Sequence, residues 1–230
     1  MRELSDSISR PQALTGHLSY PGGRLIIGAT TDGHRPKERG IMAKVKGATL
    51  SWNPNYKMSV GRFNLPCKRA CPGSTAACRQ YCYAQKAEKY RPGVLPCRTR
   101  NVDATYAASF VADVVGAFRR KRKPVKYFRI HESGDFYNQA YLDKWIEIAN
   151  QLPDTQFLAF TKSFHLDYSR MPSNLTIIWS VWPDSVGVPA SGRYAYAGEC
   201  GHADMVECAG HCDDCMVCWT VDCDVHFKIH

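Results

Sequence analysis

Eleven cysteines stand out in a chain of 230 residues, and they fall into two blocks separated by a cysteine-free stretch from Cys97 to Cys200. The sharper motif is Cys212-Asp213-Asp214-Cys215-Met216-Val217-Cys218-Trp219, with two residues between successive thiols. That spacing lets a tight loop aim three sulfurs at one centre. It approaches the ferredoxin run C-x2-C-x2-C-x3-C-P, which holds an iron–sulfur cluster. It departs at the fourth place, where Cys223 follows after four residues and no proline comes next. The fourth thiolate is therefore expected from Cys200, with Cys208 as the alternative. Zinc also accepts four thiolates with C-x2-C spacing. The doubled spacing favours a cluster, [4Fe-4S] ahead of [3Fe-4S]. His202 and His211 lie nearby and read as supporting or surface residues.

The earlier block, Cys67-x3-Cys71-Pro72-Gly73-x4-Cys78-x3-Cys82, is dense and turn-rich. Pro72-Gly73 sets a turn, and Cys78 and Cys82 stand four apart, the spacing of one helix face. Cys71, Cys78 and Cys82 are candidate ligands for a second site, or shared ligands for the first. Cys67 and Cys97 are the spares. The C-x3-C-x2-C run of radical S-adenosylmethionine enzymes starts correctly at Cys67 and Cys71 but meets Ser74 where its third cysteine belongs. The spacing thus lends no support to S-adenosylmethionine, although a three-cysteine site at Cys71, Cys78 and Cys82 with one open iron would suit it or a substrate.

A third constellation is polar. Phe128-Arg129-Ile130-His131-Glu132-Ser133-Gly134-Asp135 runs from an apolar strand into a loop, and Thr161-Lys162-Ser163 ends another. Functional groups collect beyond the carboxyl ends of parallel strands. His131, Glu132, Asp135 and Lys162 are expected to face one pocket and to supply acid, base and anion-binding groups. The competing expectation is a satisfied network closing the strand ends, with Asp135 capping the next helix. The basic run Arg119-Arg120-Lys121-Arg122-Lys123 can meet nucleic-acid phosphates, although a solvated helix end is commoner. No helix-turn-helix, finger or RNA-binding signature accompanies it.

The elements that must position these groups follow from periodicity. Val102, Tyr106, Phe110, Val114 and Phe118 recur at helical spacing and predict one helix over 101–122, capped by Asn101 and stopped by Pro124. Residues 138–152 predict a second helix. Apolar runs at 125–130, 156–161 and 175–181 predict buried strands, and 194–197 another. Strands alternating with helical or loop connections predict an α/β domain with a parallel sheet. A full eight-stranded barrel takes about 250 residues, so a partial or compressed βα barrel with Cys-rich loops is expected over 42–230. Residues 1–41 read as a weakly structured arm with one short apolar patch at Leu25 to Ile27, and Met42 is an alternative start.

Composition narrows the class. Hydrophobic residues at 44% and charged residues at 22% are globular values. No run of about 18 apolar residues is present, and the polar residues Met1 to Ser9 lack the apolar core of a secretory signal. A cytoplasmic protein with reduced thiols is expected, and an odd number of cysteines cannot all pair as disulfides. The net charge of +9 permits an acidic partner without naming one.

Cys71-Pro72-Gly73, Cys78, Cys82-Tyr83-Ala84, the run Arg129 to Tyr137, Thr161-Lys162-Ser163 and Cys212-x2-Cys215-x2-Cys218-Trp219 together resemble the mycobacteriophage gene product 88 family, over roughly residues 50–219. The resemblance implies a barrel-like α/β fold similar in outline to radical S-adenosylmethionine proteins and an iron–sulfur cluster, in a phage or plasmid protein acting inside a host cell. It implies no particular reaction. The leading expectation is an iron–sulfur protein with a redox, radical or sensing role. Its partner would be a redox protein or a small-molecule substrate. The alternative is a zinc-stabilised basic module that binds nucleic acid through Arg119 to Lys123. A third is a metal-free hydrolase using His131, Glu132 and Asp135.

Overall fold

The computed structural model describes residues 43–45, 47–55, 58–198 and 205–229. The expectations for residues 1–41, Met42, the Leu25–Ile27 patch, Cys200 and His202 lie outside them. The chain divides near Glu38, and the elements below all belong to the unit Arg39–His230.

Three short strands, β1 (Ala43–Val45), β2 (Ala48–Ser51) and β3 (Gly61–Phe63), open the fold as an antiparallel meander. Four helices come next: α1 (Ala76–Gln80), α2 (Tyr83–Tyr90), α3 (Val94–Thr105) and α4 (Phe110–Arg119). Then come β4 (Tyr127–Arg129), α5 (Gln139–Gln151), β5 (Gln156–Thr161), β6 (Leu175–Val181) and β7 (Arg193–Ala197). The chain closes with β8 (Val206–Glu207), α6 (Cys212–Cys215), α7 (Val217–Thr220) and β9 (Val225–Phe227). The strands form one nine-stranded sheet in the order β1-β2-β3-β4-β5-β6-β7-β9-β8, parallel from β3 onward.

From β3 to β7 each strand lies beside its predecessor. With right-handed crossovers, such a one-directional order puts the connections on a single face. The two faces are filled accordingly. Phe128, Phe157, Ala159, Ile177 and Trp179 point to the helical side and pack with Val114, Phe118, Trp145 and Ile148. The alternate residues Leu158, Ile178 and Ala195 point the other way and pack under Cys218, Trp219 and Phe227. Burial on both faces explains why β5 and β6 read as continuous apolar runs. β1 and β8 stand at opposite edges, so the sheet is open. The architecture is mixed α/β on a mostly parallel sheet. No helix among the described residues is long and apolar enough to cross a membrane.

The single helix expected over 101–122 is two. α3 begins earlier, at Val94, and 3-residue turns from Tyr106 to Asp103 and from Ala107 to Ala104 break the ladder before α4. Asn101 is no cap. It is buried inside α3, where Oδ1 accepts from Thr49 N at 2.6 Å and Nδ2 donates to the carbonyls of Thr49 (3.2 Å) and Asn64 (2.8 Å). α5 starts as expected, with the Asn138 side chain accepting from Tyr141 N at 2.9 Å. Asp135 therefore does not cap it.

Candidate metal centre and rim pocket

The first cysteine block is laid across the carboxyl ends of β4 and β5 by backbone bonds. Leu65 N donates to Ser133 O at 2.8 Å, and Asp135 N donates to Ala70 O at 2.8 Å. Asn64 Oδ1 accepts from the amides of Glu132 (2.8 Å) and Ser133 (3.1 Å). The Pro72-Gly73 turn then presses against Lys162. A Cβ on Gly73 would sit 2.1 Å from the Lys162 carbonyl oxygen, so only glycine allows this approach. Thr75 caps α1 by accepting from Cys78 N at 3.1 Å, and Asp184 Oδ2 accepts from Ala77 N at 2.9 Å.

This scaffold brings Cys71, Cys78 and Cys82 together. Burial pushes the Cys71 thiol up to about 12, helped by the negative charge of Asp135 and opposed by Lys162. Burial raises Cys78 as well, again opposed by Lys162. Cys82 is held below the ordinary thiol range, chiefly by a hydrogen bond from Cys67, which is raised in turn. Cys67, expected to be a spare, is tied into the block: its amide donates to Glu88 Oε1 at 3.0 Å and its Sγ lies 3.2 Å from Oε2. Glu88 is paired with Arg98 at 2.8 Å.

The polar constellation does not share one pocket. His131 is 2% exposed, with Nε2 2.9 Å from the Tyr141 hydroxyl and Nδ1 without a partner. Burial, then the charges of Arg129 and Lys162, push it down to about 3. Glu132 is taken by Arg62 at 2.9 Å and Asn55 at 2.8 Å. Asp135 is fully buried and accepts from the Thr161 hydroxyl (2.6 Å), the Lys162 amide (2.8 Å) and its neighbour's amide at Phe136 (2.8 Å). These three residues close the strand ends. Of the four, Lys162 lines an open pocket of about 470 Å³ between the Pro72–Ala76 turn, Phe164-His165 and Asp184–Gly187. Its ammonium lies 3.4 Å from Ser180 Oγ.

The terminal cysteines sit on the opposite face of the sheet. α6 and α7 are single turns joined at Met216, whose φ of 50° reverses the chain between Cys215 and Cys218. Trp219 packs against Tyr127 at 6.0 Å between ring centroids. Asp213 Oδ1 accepts from Ser59 N at 2.8 Å. Arg193 Nη1 and Nε donate to the carbonyls of Cys218 and Cys223, both at 3.1 Å. Cys208 N donates to His226 O at 2.8 Å, which brings that thiol in from β8. Burial raises Cys212, and raises Cys218 to about 11. Arg129 lowers both, while Cys208 raises both. Cys215 also acts on Cys212. Four described thiols, Cys208, Cys212, Cys215 and Cys218, thus lie in one electrostatic neighbourhood. Among the described residues, no three His, Cys, Asp or Glu side chains stand at the spacing of ligands to a single metal ion.

Sequence reasoning missed two cations here. Arg129 lies on the thiol-facing side of β4, its guanidinium 4.4 Å from the centre of the Phe160 ring, and Arg193 reaches the thiol loop from β7. The signal was strand alternation: in Phe128-Arg129-Ile130, burying the two apolar residues on one side sends the arginine to the other.

A sequence model of the family described as Gene product 88 matches residues 30–197. The chain belongs to that family. The match contains Cys67 to Cys97 and the rim pocket, and it ends before the terminal cysteines. The "Gene 88 protein" of Mycobacterium phage L5 is 33% identical over 132 residues, which is 52% of this chain and 55% of that protein. The "Gene 88 protein" of Mycobacterium phage D29 gives the same figures. The chain spans about half the length of these curated relatives. No solved structure matches, and the outline likeness to radical S-adenosylmethionine proteins has no support from the comparisons.

Proposed function

We propose that this member of the gene product 88 family is an iron–sulfur protein built on a partial βα barrel. In this reading Cys212, Cys215 and Cys218 hold a [4Fe-4S] cluster with Cys208 as the fourth ligand. What supports it is that Cys218 packs on the sheet face away from the helices and that Cys208, Cys212, Cys215 and Arg129 act electrostatically on the thiols of this loop. The donor set fits: it is all thiol, as cubane clusters use, and two guanidiniums offset the charge that thiolate ligation adds. Cys208 is named because its charge acts on both Cys212 and Cys218; Cys200, preferred on spacing, lies outside the described residues.

A bound cluster would supply one-electron exchange at a potential set by charge, hydrogen bonds and solvent access. The chain's own residues govern those terms. Trp219 and Phe227 pack beside Cys218 on the Leu158–Ile178–Ala195 face. Arg193 fixes the carbonyls of Cys218 and Cys223, which sets the loop's shape. The rim thiols Cys71, Cys78 and Cys82 form a second all-sulfur set beside the pocket, suited to a second cluster next to a small-molecule site. The role is redox, radical or sensing chemistry inside a phage's host.

The test is anaerobic purification followed by iron, sulfide and zinc analysis with visible absorption. About four iron and four sulfide per chain support one cluster, and about eight support two. A colourless protein with stoichiometric zinc would remove the reading and leave a zinc-stabilised module.

A further inference from the structure

Between Lys68 and Arg100 the chain holds eight Lys and Arg residues and one acid, Glu88. That segment supplies most of the molecule's net charge of +9. The one acid is turned inward: the Glu88 side chain is 9% exposed and spent on Arg98 and Cys67. Arg98 is the one buried cation, and the other seven of the eight are exposed. Arg69 has a loose partner, Asp103, at 3.6 Å.

α2 organises the surface. Ala84 and Glu88, four apart, face the protein. Lys86 and Tyr90, at i and i+4, form the outward stripe, while Tyr83 is half-exposed with its hydroxyl donating to the Glu132 carbonyl. Tyr90 is 70% exposed and Tyr81 41%, and Tyr90 stands between Lys89 and Arg91. Lys89 Nζ lies 5.1 Å from the centre of the Tyr90 ring. Arg79 and Arg91 flank the stripe. Exposed rings interleaved with uncompensated cations match what a single strand offers: a phosphate track and unpaired bases with free faces. A duplex hides its base faces, and a bilayer would call for aliphatic anchors that the α2 stripe lacks.

We propose that the surface running from Arg79 to Arg91 binds single-stranded nucleic acid, with Lys86, Lys89 and Arg91 on phosphates and Tyr81 and Tyr90 stacked on bases. This inference stands apart from the cluster. It also uses a different surface from Arg119 to Lys123, where the basic side chains follow the negative end of α4.

The test is fluorescence anisotropy of a labelled 20-nucleotide oligothymidine and its duplex form, with the full chain purified anaerobically. The three phosphate contacts predict a log–log salt slope near −2, so binding should weaken about tenfold from 50 to 150 mM salt. K86E/K89E/R91E should cost at least about 30-fold, and Tyr90→Ala about fivefold or more. All four positions are exposed, and circular dichroism checks that the variants fold. The proposal is overturned by absent binding at 50 mM salt or by tighter binding to the duplex. It is also overturned if neutralising Arg119 to Lys123 abolishes binding while K86E/K89E/R91E leaves it intact.

Discussion

His131 offers the sharpest test of how the strand ends work. A histidine serving as a proton shuttle titrates near neutrality. Here the ring is buried against Phe136 and Tyr141, one nitrogen has no partner, and two cations act on it, so it stays neutral down to about 3. The unfolded chain takes up a proton at this residue below its ordinary value of 6.5. Between the two values the unfolded state binds more protons, so stability rises with pH through that window and levels off above it. At pH 5 the chain is 1.5 units into the window, and at about 1.36 kcal/mol per unit the loss is about 2 kcal/mol relative to pH 7.5. Asp135 is raised by burial and acts in the opposite sense. The readout is therefore the difference between wild type and His131→Gln. Urea unfolding at pH 7.5 and 5 should show the wild-type midpoint falling by about 1 M more than the variant's, for a slope of roughly 2 kcal/mol per molar. Nuclear magnetic resonance of the folded wild type should show a His131 ring that does not titrate over the same range. A ring titrating near 6.5, or equal pH losses in both proteins, would refute the reasoning and restore the hydrolase reading.

Other expectations are quicker to check. Cys212→Ser, Cys215→Ser or Cys218→Ser should each strip iron and visible absorption, whereas Cys97→Ser should not. Comparing Cys208→Ser with Cys200→Ser identifies the fourth ligand by iron content. Gly73→Ala drives a methyl carbon into the Lys162 carbonyl and should cost about 1–3 kcal/mol in chemical unfolding. Gly93→Ala meets nothing within 4 Å and should be close to neutral. Asn101→Ala removes the hydrogen-bond partner of the Thr49 amide and of the Thr49 and Asn64 carbonyls and should cost roughly 2–4 kcal/mol. That loss should lower the Tm by roughly 4–16 °C in a calorimeter.

What the sequence carried and what it concealed divide by range of interaction. β5, β6 and α5 are legible because the apolar run or period and the Asn138 cap are local. The break between α3 and α4 is illegible because Val102, Tyr106 and Phe110 keep helical spacing straight through it. Tyr106 nevertheless points outward, 63% exposed, with its ring beside Tyr137. β1 to β3 are too short to leave a periodic trace. At the site, cysteine spacing marks which thiols travel together. It says nothing of Arg129, or of the Asn64 amide bonds that aim the rim. His131 and Asp135 look exposed to chemistry in sequence, yet they are enclosed by Phe136, Tyr141 and Thr161, which tertiary packing brings there.

The order of the last strands has a mechanical consequence. β9 pairs with β7 in parallel, so the chain must travel round before it can return, and the thiol loop forms part of that journey. Whatever clasps the loop also keeps the flank of β7 covered. Stripping the site with a chelator should then free β9 and leave an unpaired parallel edge open to other copies of the chain. Loss of the proposed cluster would register as self-association in light scattering before helix content falls. In that sense the cysteines near the end of the chain act as the catch on the sheet's last fold.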